Sequence, residues 1–270
     1  MTFGSLFAGI GGFDLGLERA GMKCLWQVEI NPFCRKVLAK HWPRVKKYDD
    51  IKKTGKHNLE PVELICGGDP CPIRSRARSI WKTKTPDLSG YFLAVVGKCQ
   101  PRWVVRENVP ASDDVEFAAA LEMLGYRTII VSINAAQITA QNRERDFIVG
   151  CPPQNYSSFV SLLPISQNGK RYAETKYEKT PAYPVLTTHS CRWDARDGYI
   201  WDGAGIRVAD SKERQKLTGF PDGWLDGFSK TAVARMTGNA VVVPVAERIG
   251  RIINEANHRL VLTATAAAQT

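Results

Sequence analysis

The sequence lacks the features that define several large protein classes. No apolar run approaches the ~20 residues needed to cross a bilayer, so a helical membrane protein is excluded. No leader-like segment precedes the first apolar stretch, and a cytoplasmic protein is expected. The seven cysteines, Cys24, Cys34, Cys66, Cys71, Cys99, Cys151 and Cys191, include no Cys-x-x-Cys pair. That odd, irregular set argues against structural zinc and against a disulfide framework. The thiols are expected to be reduced, and no metal site is expected. There is no internal repeat. Acidic residues are outnumbered, 27 against 37 Lys and Arg, giving a formal charge of +10 and a pI near 9.3. A basic balance of this size favours a polyanionic partner such as nucleic acid.

What is present begins with a short apolar strand, Thr2 to Phe7, running into Ala8-Gly9-Ile10-Gly11-Gly12-Phe13-Asp14. A glycine-rich turn between strand and helix lets a ligand approach the backbone closely. Asp14 stands where the third glycine of Gly-x-Gly-x-x-Gly would fall, which argues against a pyrophosphate ligand. The next strand, Cys24 to Val28, ends in Glu29, where an acid can meet ribose hydroxyls. A nucleoside-type cofactor without phosphates is the better match. Asn31 and Pro32 then predict a helix start.

A third apolar run, Val62 to Cys66, leads into Gly67-Gly68-Asp69-Pro70-Cys71-Pro72. The glycines turn the chain sharply and the prolines stiffen it around one cysteine. A cysteine acts as nucleophile in its thiolate form, which neighbouring positive charge favours. Arg74, Arg76 and Arg78 follow, and the stretch from Ile73 to Ser89, with Trp81 among its basic residues, suits a loop meeting phosphates. Tyr91 to Val96 is expected to be helical. Trp103 to Val105 reads as a strand ending in Arg106-Glu107-Asn108. In a parallel sheet the carboxyl ends of strands line one edge, so Gly9, Glu29, Cys71 and Glu107 are expected to converge.

Ser112 is expected to cap a helix that Gly125 ends. Tyr126 to Ile133 and Phe147 to Val149 are expected to be strands, with alternation sending Gln141, Arg143 and Arg145 to one face. Residues 151–205, rich in Pro, Ser, Asn, Tyr and Trp, predict a small separate lobe. A helix over Lys212 to Leu217, the turn Gly219 to Gly223, and a last helix from Val245 to about Ala256 follow, with a frayed tail over 259–270.

In that order, these stretches resemble the DNA (cytosine-5) methyltransferase family, from about Leu6 to Val245. Leu6 to Phe13 is similar to its cofactor motif, Asp50-Ile51 to its adenine-side pair, and Pro70-Cys71 to its nucleophile loop. Glu107-Asn108-Val109 is similar to its acid motif, and Gln141 to Arg145 to its paired-arginine motif. Gly238 to Val241 is similar to its closing motif. The resemblance implies a Rossmann-like class I methyltransferase fold of the α/β class, with a mostly parallel sheet and a small irregular target-recognition lobe. The catalytic domain would comprise 1–150 and 206–258, with 151–205 reading the target.

It implies S-adenosyl-L-methionine as cofactor, held by Phe7, Ala8, Gly9, Gly11, Gly12, Phe13, Glu29, Ile30, Asp50, Ile51, Asp69, Pro70, Asn239, Ala240 and Val241. Cys71 would attack C6 of a flipped-out cytosine, Glu107 would stabilise protonated N3, and Asn108, Arg143 and Arg145 would position loop and base. Double-stranded DNA would be the partner of a monomeric enzyme of bacterial or phage type, with an accompanying restriction endonuclease. Methylation of RNA, or a silent module that binds cofactor and nucleic acid, are the alternatives. Pro72 departs from the family, which usually has glutamine there.

Overall fold

The computed structural model describes residues 1–55, 57–70, 87–110, 113–163, 186, 199–201, 203 and 205–267. Among these, seven strands share one sheet: β1 (Thr2–Leu6), β2 (Lys23–Val28), β3 (Lys46–Tyr48), β4 (Leu64–Gly67), β5 (Trp103–Asn108), β6 (Arg127–Asn134) and β7 (Glu144–Cys151). Their order is β3-β2-β1-β4-β5-β7-β6. The first five run parallel, and β7 lies antiparallel between β5 and β6. The order reverses between β1 and β4, which opens a crevice at the carboxyl ends of those two strands.

Alternation along each strand divides the core into two faces. Leu64, Cys66, Trp103 and Val105 point to one side, with Phe3, Phe13 and Leu17. Ile65 and Val104 point to the other, with Phe92, Val95, Phe117 and Leu121. Helices α1 (Gly12–Arg19) and α2 (Pro32–His41) follow the first two strands, and α3 (Ser89–Cys99) and α4 (Asp113–Met123) flank β5. The Asn31 side chain accepts from Phe33 N and Cys34 N, so α2 starts as its sequence predicts. Ser112, expected to cap α4, lies outside the described residues.

Two sequence expectations need correction. Residues 153–162, placed in the separate lobe, form helix α5 (Pro153–Leu162), whose Phe159 joins the main core with the following Leu163. The polar composition of this stretch masks an apolar pair four residues apart. The C-terminal region holds an unexpected helix, α7 (Lys230–Asn239), after α6 (Ser211–Leu217), and the last helix, α8, runs Val243–Ala267. It therefore extends into the residues expected to fray. Its buried stripe of Ala246, Ile249, Ile253 and Ala256 has helical spacing and packs over α1. A separate antiparallel pair, β8 (Tyr199–Trp201) and β9 (Ile206–Val208), precedes α6.

Glycine makes that helix contact close. A Cβ on Gly16 would lie 2.6 Å from Ala246 Cβ, and one on Gly12 would lie 2.4 Å from the Val241 carbonyl oxygen. These two positions supply the tight packing that the third glycine of a dinucleotide turn would give. Asp14, which occupies that glycine's place, is completely buried. It accepts from Gln27 Nε2 at 2.8 Å and Ser5 Oγ at 3.1 Å.

Burial raises the Asp14 carboxyl from 3.8 to about 6, against the opposing effect of its hydrogen bonds. A carboxyl with a raised folded-state value holds its proton more tightly folded than unfolded. Its stabilising contribution is complete below 3.8 and is lost as pH rises through about 6. Asp14→Asn is therefore expected to flatten the stability profile across that window, by roughly 2–3 kcal/mol. Urea denaturation at a series of pH values measures it, and an unchanged slope would assign the proton elsewhere.

Candidate active site

The glycine turn after β1 curls through three residues of positive φ: Phe7 at 52°, Gly9 at 57° and Gly11 at 86°. Left-handed backbone is cheap for glycine and costly for phenylalanine, so Phe7 marks local strain. Its ring stacks on Phe92 with centroids 6.4 Å apart. The turn is braced from below, since a Cβ on Gly11 would strike the Trp42 ring at 2.4 Å. Trp224 Nε1 donates to the Ile10 carbonyl at 3.0 Å, and Trp224 stacks on His41. Burial lowers the His41 pKa, favouring the neutral ring in that stack.

Glu29, at the end of β2, faces this turn. Gly9 N donates to its Oε2 and Asn31 N to its Oε1, both at 2.7 Å. Burial raises its pKa despite these bonds. Each oxygen keeps an acceptor lone pair, so the carboxylate can still receive hydroxyl donors. Ile30 beside it is 69% exposed, a large apolar side chain left open at the crevice rim. Asp50 caps the short turn Ile51–Lys53, accepting from Lys52 N at 3.0 Å, and Ile51 is buried. An apolar rim, an acid and a curled glycine backbone suit a nucleoside. Of the other residues predicted to line this site, Ala8 N bonds Val28 O, and the Val241 carbonyl abuts Gly12. Phe13 turns into the core against Phe147, Ala240 is buried, and Asn239 is exposed at the end of α7.

Across the crevice, Gly68, Asp69 and Pro70 leave β4 beside the end of β5. Cys71 and residues 72–86 of the basic stretch after it lie outside the described residues. Glu107 sits directly below the loop: a Cβ on Gly68 would come 3.0 Å from Glu107 Oε2. Its other oxygen, Oε1, is 3.1 Å from Arg145 Nε. Asn108 Nδ2 donates to the Asp69 carbonyl at 3.3 Å, while Asn108 Oδ1 accepts from Val109 N. Arg143 and Arg145 were expected on one strand face, but β7 begins at Glu144, so Gln141 and Arg143 belong to the preceding turn. Both arginines nevertheless line one small cleft, with Glu107, Phe147, Val242 and Val245. Arg143 Nη1 donates to the Gly238 carbonyl at 3.1 Å. Burial and the nearby Arg145 charge bring its pKa down to about 9.

Sequence reasoning missed Arg106. Its Nε and Nη2 donate to the two carboxylate oxygens of Asp69 at 2.5 and 2.8 Å, and its Nη1 donates to Asp114 Oδ1 at 3.2 Å. The guanidinium also lies 4.3 Å from the centre of the Phe117 ring. A charged residue directly after the apolar run Trp103 to Val105 was the available signal.

A mostly parallel sheet with a glycine turn, a facing acid and a loop of this form at its switch point defines a class I methyltransferase. The model of the C-5 cytosine-specific DNA methylase family matches residues 1–187 and 165–255. The chain belongs to that family, and it is a DNA cytosine-5 methyltransferase. Relatives include the type II methyltransferase M.BsuFI of Bacillus subtilis, 24% identical, with 94% of this chain and 73% of the relative aligned. M.NgoMIV of Neisseria gonorrhoeae is 25% identical, with 95% of this chain and 98% of the relative aligned. The Dnmt2 methyltransferase structure of S. pombe superposes with a TM-score of 0.71 at 16% identity, covering 95% of this chain and 99% of that one. At that identity it speaks for the fold alone. Among the described residues no helix is long and apolar enough to cross a membrane.

Proposed function

We propose that the protein methylates C5 of a cytosine flipped out of duplex DNA, through a covalent adduct between Cys71 Sγ and C6. The observation that carries this reading is the placement of Glu107 beneath Gly68, three residues before Cys71, so that one base could meet both. C5 of cytosine is a poor nucleophile. Addition of the thiolate to C6, with Glu107 holding a proton at N3, turns the C5–C6 bond into an enamine. Once C5 has taken the methyl group, loss of the C5 proton to a base and departure of Cys71 as thiolate restore the aromatic ring. Asn108 holds the loop, and Arg143 and Arg145 orient Glu107 and the base.

S-adenosylmethionine suits the crevice between β1 and β4, and when bound it supplies an electrophilic methyl on a sulfonium. Glu29 would receive its ribose hydroxyls, Ile30 and Ile51 would flank the adenine, and the turn from Phe7 to Gly12 would approach it through backbone. Residues 1–150 and 206–258, with α5, would form the catalytic body, leaving the rest of 151–205 to read the target. A monomer acting in the cytoplasm, partnered by a restriction endonuclease, is consistent with the type II relatives.

The test uses duplexes carrying 5-fluorocytosine, whose C5 fluorine blocks the elimination step. With S-adenosylmethionine the protein is expected to form a denaturation-resistant complex through Cys71. Trapping on RNA alone would redirect the reading to RNA, and no trapping on a library of duplex sequences would refute it.

A further inference from the structure

We infer that Arg106 and Asp69 form a positioning pair that sets the height of the Gly68 to Pro70 segment, which leads in sequence to Cys71, above Glu107, an inference that rests on the proposed chemistry. Glu107 and Arg106 are neighbours on β5, so their side chains leave opposite faces of the sheet. Glu107 faces the cleft with Arg145, and Arg106 faces α4. There Asp114 and the Phe117 ring hold the guanidinium from behind. Its two remaining forward donors grip both oxygens of Asp69, two residues before Cys71.

The two side chains are 1% and 0% exposed. Ions this deep pay a large desolvation cost, and apolar replacements of similar volume are often no less stable. Stability is thus a poor account of the pair. Geometry is a better one, because a two-pronged guanidinium–carboxylate contact fixes angle as well as distance. Asn108 adds a grip on the Asp69 carbonyl from the same strand. The chain around Asp69 is therefore referenced to β5 twice, once from each side of Glu107. Pro70 follows with its fixed φ, which stiffens the end of the clamped segment. Attack at C6 and proton holding at N3 must occur on one ring at once. An error of about 1 Å between thiol and acid can cost roughly 10²-fold in rate.

Two variants test the idea. Arg106→Leu/Asp69→Leu, made in an Asp114→Asn background because Asp114 also bonds Arg106 Nη1, removes the pair without leaving a buried carboxylate unpaired. Arg106→Lys keeps the charge and loses the fork. Both are expected to retain cooperative unfolding and near-normal duplex Kd, and Arg106→Lys, which leaves Asp69 in place, is expected to keep a near-normal Kd for S-adenosylmethionine; transfer rates are read at saturating S-adenosylmethionine. Single-turnover methyl transfer is expected to fall about 10²-fold in the double variant and about 10-fold in Arg106→Lys, with KM little changed. The rate of trapping on 5-fluorocytosine duplex is expected to fall in parallel. Wild-type transfer rates in the folded double variant would overturn the inference, as would a loss confined to KM. If the wild-type protein itself fails to trap, the proposed chemistry falls and this inference falls with it; if only the variants trap as fast as wild type, this inference falls alone.

Discussion

Cys71→Ser is expected to abolish methyl transfer, by on the order of 10⁴-fold or more, while leaving duplex binding measurable. Nucleophilic addition to C6 needs an anion. A cysteine reaches that state at moderate pH when positive charge is near, whereas a serine hydroxyl needs a dedicated base. The described thiols contrast with what is required. Burial drives the pKa of Cys34 and Cys151 to about 12, and it raises Cys24 and Cys66 as well. None of these four can serve as a thiolate near neutral pH. Binding should survive because contacts to phosphates, which dominate affinity, do not involve the thiol. Labelled methyl incorporation and duplex titration, run on one preparation, measure both quantities. Methyl transfer by the serine variant at more than a trace would remove Cys71 from the mechanism.

Glu107→Gln is expected to slow single-turnover transfer by about 10²–10⁴-fold, the range for loss of a positioned acid or base. Glutamine preserves shape and one acceptor oxygen but cannot share a proton with N3. The substitution also removes the anion that Arg145 Nε approaches at 3.1 Å, leaving that arginine charged at the cleft. Thermal denaturation of the variant, compared with Arg145→Gln/Glu107→Gln, separates this electrostatic effect from the chemical one. The chemical loss is expected in both variants. A single-turnover rate within a few-fold of wild type would show that Glu107 does not act on N3.

The parts of the site built from backbone were legible in the sequence. Glycines at 9, 11 and 12, the acid at 29 and the strand ends at 67 and 107 each carry a local signature, and parallel topology gathers them on one edge. The Asn31-Pro32 helix start was legible for the same reason, since the side chain bonds only the next turn. Features that depend on distant partners were not. Asp69 and Arg106 are 37 residues apart in sequence, and each alone looks like a surface charge. Trp224 braces a turn 214 residues away, which no local pattern announces. Helix α5 was hidden by Pro, Gln and Ser on its exposed side, while Asn155, Phe159 and Val160 face inward. Helix α7 carries mixed polar residues, and its burial is set by the third apolar cluster, where Val233 and Met236 meet Phe220 and Trp224.

The contact of Gly12 and Gly16 with Val241 and Ala246 also orders events in time. The turn that would receive the cofactor is made early, but its floor belongs to the last helix of the chain. At ribosomal rates of about 5–20 residues per second, that helix appears roughly 10–50 seconds after Gly12. Until then Phe13 and Leu17 have no cover from α8, and Ile10 has no Trp224 to hold it. Contacts this distant in sequence form slowly because the loop must close before any of them contributes. The nascent chain therefore spends most of its synthesis with an apolar face uncovered, and a chaperone that shields such faces would have its longest window on α1.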